Sequence, residues 1–155
     1  MLWTGQQPDT TLERIIPLLE AVLRRTAYLV LLNENPQALE QLVRLCGASS
    51  WVAEYIATTP LLLDELLVPD TLYRLPDKAE LAEELHLRLL RLDADDLEQQ
   101  MEQLRQFLRA HKLRAAACAA LEALPLMQIR YYLTWLAGVI IAKGMFPAFA
   151  QLGGK

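Results

Sequence analysis

Leu97, Met101, Leu104 and Leu108 recur at alternating four- and three-residue steps, and no helix breaker follows until Pro125. That spacing draws one apolar stripe along a helix; a half-buried strand would instead alternate at every second residue. Asp93-Ala94-Asp95-Asp96 precedes the stripe, where acids complement the positive end of a helix dipole. The element would then run about 28 residues, or roughly 40 Å at 1.5 Å per residue. Its second half, Ala115 to Ala120, carries side chains small enough for another helix to approach closely, and the helix expected next, about 126–142, is the natural partner.

Helix signals recur upstream. Thr10-Thr11-Leu12-Glu13 reads as a capping box, followed by apolar residues at Ile15, Leu18, Leu19, Val22 and Leu23, then Ala27, Val30 and Leu31. Pro17 is tolerated in the first turns and is also compatible with a short break. Asn35-Pro36 and Thr59-Pro60 each place a capping side chain before a proline preset at helical φ, predicting helices over roughly 36–47 and 60–67. Ser50 is expected to cap a helix bearing Trp51, Tyr55 and Ile56, and Asp77-Lys78-Ala79-Glu80 to open one reaching about Leu92. Leucine and alanine dominate while β-branched and aromatic residues are sparse, and nothing reads as a strand. The expected fold class is all-α: a compact multi-helix bundle of about six to eight helices with one long helix near 94–123. At 155 residues the chain should form a single helical domain over 1–155.

Composition narrows the function classes. The net charge of −4 offers no basic surface for displacing counterions from nucleic acid. Cys46 and Cys118 have no second ligand at metal spacing and read as buried thiols of a reducing compartment, with one disulfide left open. Leu133 to Ala142 is about half the roughly 20 apolar residues that a membrane span needs. The first residues, MLWTGQQPDTT, have neither the basic start nor the apolar run of a secretory signal, so the expected location is the cytoplasm.

Each candidate site has a plain structural competitor. Asp93-Ala94-Asp95 matches the paired carboxylates with which nucleotidyltransferases hold Mg²⁺, but that chemistry needs a strand and a nearby glycine loop, whereas these acids stand at a helix start. Leu152-Gly153-Gly154-Lys155 lacks the strand and following acids of a phosphate loop. His86 and His111 lie in no metal spacing and read as surface histidines, Ser49 and Ser50 as capping residues, Trp51 and Trp135 as core anchors. Leu63-Asp64-Glu65-Leu66-Leu67 spells an L-x-x-L-L docking peptide, yet it stands between other helix signals, and leaving its leucines in water would cost roughly 1.5–3 kcal/mol each. The core reading is preferred.

Several blocks together carry a family resemblance: Arg24-Arg25, Tyr28, Asn35-Pro36, Ala48-Ser49-Ser50-Trp51, Pro60 to Leu67, Asp96 to Met101, and Leu124-Pro125-Leu126-Met127 before Leu133-Thr134-Trp135-Leu136. In this order they resemble the central helical region of the bifunctional glutamine synthetase adenylyltransferases/adenylyl-removing enzymes, over about 12–137, with 138–155 expected as a divergent tail. The resemblance implies a full-length enzyme with two nucleotidyltransferase halves. One moves AMP from ATP to a tyrosine of glutamine synthetase, and the other removes it by phosphorolysis, with glutamine and the PII protein setting the direction. The glycine loops and paired carboxylates of those halves have no counterpart here. No catalytic, cofactor-binding or metal residue is therefore assigned, and ATP and Mg²⁺ are expected only for the full-length enzyme. The implied role is a non-catalytic regulatory or linking piece whose partners are the adjoining catalytic domains, with glutamine synthetase and PII as further partners. Two rivals are a sensor that binds glutamine or PII, for which Arg24, Arg25, Asp64 and Glu65 supply both charge types, and an unrelated adaptor using an exposed L-x-x-L-L.

Overall fold

Punctuation by caps and prolines keeps the helices before residue 75 to between 4 and 16 residues, while the last two helices run to 24 and 28. The computed structural model describes residues 8–153. Among them are α1 (Pro8–Leu23), α2 (Thr26–Glu34), α3 (Pro36–Ala48), α4 (Ser50–Thr58), a 3-10 helix (Pro60–Leu67), α5 (Pro69–Leu72), α6 (Lys78–Leu90), α7 (Leu97–Ala120) and α8 (Leu126–Gly153). No described residue is in a strand, and the all-α expectation holds. Gly154 and Lys155 lie outside the described residues, as do the side chains of Thr10, Thr11, Ile15 and Val22.

The caps follow the expected chemistry with four corrections. Asp77 accepts from the Glu80 amide at 2.8 Å and Glu80 returns the bond to the Asp77 amide at 3.2 Å, so the capping box is complete. Thr10, by contrast, is already helical, because α1 is formed from Pro8. The cap of α4 is Ser49 rather than Ser50, accepting from the Val52 amide at 3.3 Å. Asn35 turns backward, its Nδ2 donating to the Leu31 carbonyl at 2.8 Å, and Thr59 also makes no side-chain cap. Proline at the first helical position removes one orphan amide, which leaves these side chains less to satisfy.

The described residues form two compact units: those up to 74 with 116–124, and 75–115 with those from 125 onward. In the first, α1 packs against α2, α3 and α4, while α3 also meets α4, α5 and the 3-10 helix. The run from Ile15 to Leu31 is not one helix. It breaks at Arg24-Arg25, where Arg25 is extended (φ −132°, ψ 111°), although neither glycine nor proline is present. Packing of α2 on both α1 and α3 overrides the local propensity there. Arg14 joins α1 to the end of α3 by donating to the carbonyls of Cys46 (3.1 Å) and Gly47 (2.9 Å), a cation at the negative end of a helix. Cys46 and Cys118 are both buried and neither is in a disulfide.

The 3-10 helix answers the L-x-x-L-L question by its period. At three residues per turn, Leu63 and Leu66 lie one above the other, and both are fully buried. Leu61 and Asp64 form the outward row and are exposed. The docking-peptide reading, which needs exposed leucines, is not met.

Helix α7 ends in a Schellman arrangement: the Ala123 amide donates to the Cys118 carbonyl (2.9 Å) and the Glu122 amide to that of Ala119 (3.3 Å). Glu122 takes the left-handed position, with φ 52°, where a Cβ is unfavourable by about 1 kcal/mol. Glu122→Gly is accordingly expected to raise stability by about 0.5–1 kcal/mol, read as a higher urea midpoint at unchanged m value.

In the second unit α6 packs on α8, and the core is built from Leu81, Leu85, Leu104, Phe107, Tyr132 and Leu136. Helix α8, not α7, is the longest, at 28 residues against 24. Residues 116–120 of α7 fall in the first unit and α8 in the second.

Candidate functional site

The buried stripe of α7 is Gln100, Leu104, Phe107 and His111 rather than the sequence seam, since Met101 is exposed and Leu108 half-buried. Two polar residues therefore sit at core positions, and each must find partners. Gln100 Nε2 donates to the carbonyls of Asp93 and Ala94, both at 3.0 Å, and so fastens the loop that precedes α7. Asp96 supplies the cap, accepting from the Gln99 amide at 3.1 Å. Asp93 and Asp95 are exposed at that helix start, the place for dipole-complementing acids. No group of three or more His, Cys, Asp or Glu among the described residues is placed to hold a metal ion.

His111 is fully buried, which corrects the surface reading; His86 is exposed as expected. The His111 Nε2 lies 3.0 Å from Glu84 Oε2 in α6, and the His111 Nδ1 is hydrogen-bonded to the Tyr132 hydroxyl in α8. A carboxylate only accepts, so Nε2 carries the proton toward Glu84, and in the neutral ring Nδ1 accepts from Tyr132. The Tyr132 oxygen also lies 3.4 Å from the His111 carbonyl. The Phe107 ring packs on the imidazole with centroids 4.4 Å apart. Burial pushes the Glu84 carboxyl up, but the hydrogen bond and charge of His111, with Arg88 and Arg114, outweigh it and leave the group below its ordinary value. Arg88 bonds Glu84 at 3.2 Å and lies over the Phe107 ring at 5.7 Å.

A tyrosine, histidine and carboxylate in sequence invite an acid–base reading. The Tyr132 oxygen is nevertheless sealed in the core, with the residue only 1% exposed, so no substrate can meet it. The cluster is a polar bolt through three helices. An open groove of about 450 Å³ lies beside it, lined by Glu84, Leu87, Arg88, Arg91, Leu92 and Gln103.

The sequence candidates for ligand contact lie on separate elements of the first unit. Arg24 and Arg25 occupy the break between α1 and α2, with the Arg25 guanidinium 5.9 Å from the centre of the Tyr28 ring. Asp64, exposed, and Glu65, half-buried, belong to the 3-10 helix. Trp51 is not a core anchor: it is 47% exposed and stacks on Tyr55, one turn along α4, with centroids 4.6 Å apart. Trp135 is half-buried. Residues 41 and 73 are joined by a hydrogen bond from the Tyr73 hydroxyl to Gln41 Oε1. No described helix is long and apolar enough to cross a membrane.

Residues 39–152 match the profile of the glutamate-ammonia ligase adenylyltransferases. The chain belongs to the glutamate-ammonia ligase adenylyltransferase family. The family match continues to residue 152, so the segment after 137, expected to diverge, is part of it. Among similar proteins are bifunctional glutamine synthetase adenylyltransferase/adenylyl-removing enzymes from Pseudomonas aeruginosa, 58% identical over 94% of this chain, and from Hahella chejuensis, 56% identical over 94%. The protein of that name from Thioalkalivibrio sulfidiphilus is 44% identical over 97% of the chain. The matched region is 15% of the length of the first two relatives and 16% of the third. Family membership removes the unrelated-adaptor reading. His111, Glu84 and Tyr132 are the residues that sequence reasoning missed in this adenylyltransferase segment.

Proposed function

We propose that this chain is a regulatory and linking segment of a bifunctional adenylyltransferase that transfers AMP from ATP to a tyrosine of glutamine synthetase and removes it again. The segment carries neither reaction itself; it supports or couples the adjoining catalytic domains in the cytoplasm. Those domains are its direct partners, with glutamine synthetase and PII as partners of the whole enzyme, and ATP and Mg²⁺ belong to the catalytic parts. The observation that carries this reading is the family match over residues 39–152 by a chain that covers only about 15% of its relatives' length. The helix-start placement of Asp93 and Asp95, beside the capping Asp96, is consistent with it.

The test incubates this chain with ATP, Mg²⁺ and glutamine synthetase and follows label transferred from the α-phosphate. The expected result is no incorporation above a chain-free control. Transfer by the chain that disappears in Asp93→Ala would overturn the reading.

A further inference from the structure

Helix α8 is apolar on two opposite sides. At about 100° per residue, Ile129, Tyr132, Leu136 and Val139 form one stripe, and all four are buried. The outward arc holds Met127, Tyr131, Thr134, Trp135, Gly138, Ile141 and Ala142, with one charged residue, exposed Arg130, at its edge. Met127 is 58% exposed, Tyr131 57% and Ile141 56%. Thr134, its one polar member, turns its hydroxyl back to the Arg130 carbonyl at 3.0 Å. Tyr131 and Trp135 stack with centroids 6.2 Å apart, so the aromatic pair is held in place. A Cβ at Gly138 would meet nothing within 4 Å. The glycine is therefore not required by packing within this chain, and it leaves a low point where another backbone can come close. A helix whose outer face simply met water would carry charged and polar residues there.

We propose that this face of α8 seats an apolar-striped helix supplied by the part of the full-length adenylyltransferase that lies outside this chain. The proposal rests on the reading under Proposed function and names the surface through which the segment engages the rest of the enzyme. Three observations select this occupant. The matched region is 15% of the relatives' length, so most of that polypeptide lies elsewhere. The exposed side chains of the stripe offer on the order of 500 Å², short of the roughly 800 Å² per partner that a stable pair of free molecules buries, but sufficient for a tethered partner at millimolar effective concentration. Finally, an apolar arc with a glycine at its centre and a single charge, Arg130, at its edge matches an apolar helix better than an ionic surface.

The test replaces the matching segment of the full-length Pseudomonas aeruginosa relative by this chain. Hydroxyl-radical oxidation of Met127, Tyr131 and Ile141 is then compared between that hybrid and the chain alone. Oxidation at least about fivefold slower in the hybrid is expected, as for side chains entering an interface core, with exposed His86 as reference. Equal rates in the two settings overturn the proposal. So do slow rates already present in the chain alone, or a dimer at micromolar concentration in sedimentation equilibrium, because the face would then be covered by the chain itself or by a second copy. Should the hybrid fail to assemble, the same oxidation read at the aligned α8 positions of the unmodified relative decides the matter. Label transfer by the isolated chain would remove the non-catalytic reading and leave this surface standing; equal oxidation rates would do the reverse.

Discussion

Replacing His111 by alanine is expected to lower the free energy of unfolding by about 3–5 kcal/mol, a large share of the 5–15 kcal/mol typical of a domain. The side chain is fully buried, fills space against Phe107 and satisfies groups on two other helices. Alanine leaves a cavity, takes the Nδ1 acceptor from the Tyr132 hydroxyl, and leaves half-buried Glu84 with Arg88 but without its imidazole donor. Tyr132→Phe removes only one of these bonds and should cost about 1–2 kcal/mol. Urea unfolding of both variants gives the comparison, and a loss below about 1 kcal/mol for His111→Ala would show that the ring is not a core element.

The same cluster gives stability a pH dependence with a definite sign. Glu84 titrates below its ordinary value of 4.5 in the folded protein, so between the two values the unfolded chain binds more protons. Its contribution is therefore complete above the ordinary carboxylate range and is lost as pH falls through the folded value. Removing His111 takes away the largest influence that lowers the carboxyl and leaves burial, which raises it, opposed only by Arg88 and Arg114. The acid side of the stability curve should thus be flatter in His111→Ala than in the unsubstituted chain.

The second large effect belongs to the 3-10 helix. Leu63→Ala and Leu66→Ala are each expected to cost about 2–5 kcal/mol, whereas Leu61→Ala, on the outward row, should cost less than about 0.5 kcal/mol. Such a contrast between neighbours follows from a period of three, which stacks residues 63 and 66 inward and 61 and 64 outward. Amide exchange across 61–67 at the rate of local fraying, rather than of deeper opening, would contradict this placement.

Sequence signals predict structure where their chemistry is local. Asp77 and Glu80 sit three residues apart, and no other part of the chain is needed to make them a capping box. Asn35 shows the limit of such reading: the same side chain can close the preceding helix or open the next, and which one prevails depends on the donors that proline leaves free. The break at Arg24-Arg25 carries no local marker and arises from how α2 packs. His111 was invisible for a similar reason, since its partners lie 27 and 21 residues away in the chain. One signal did point to it. Continuing the four- and three-residue steps of the seam from Leu104 and Leu108 lands on residue 111, so a histidine at that register was a candidate for the interior before any partner was known.

The two cysteines give the chain an internal clock. Both belong to the first unit, and the second unit has none. Burial, only partly offset by Arg14, pushes the Cys46 thiol up to about 12, and burial raises Cys118 as well. At neutral pH the nucleophilic form of Cys46 is then far scarcer than for an ordinary thiol. An alkylating reagent must wait for the surrounding helices to part before it finds a reactive sulfur, so the pace of modification counts openings of one half of the molecule and is silent about the other.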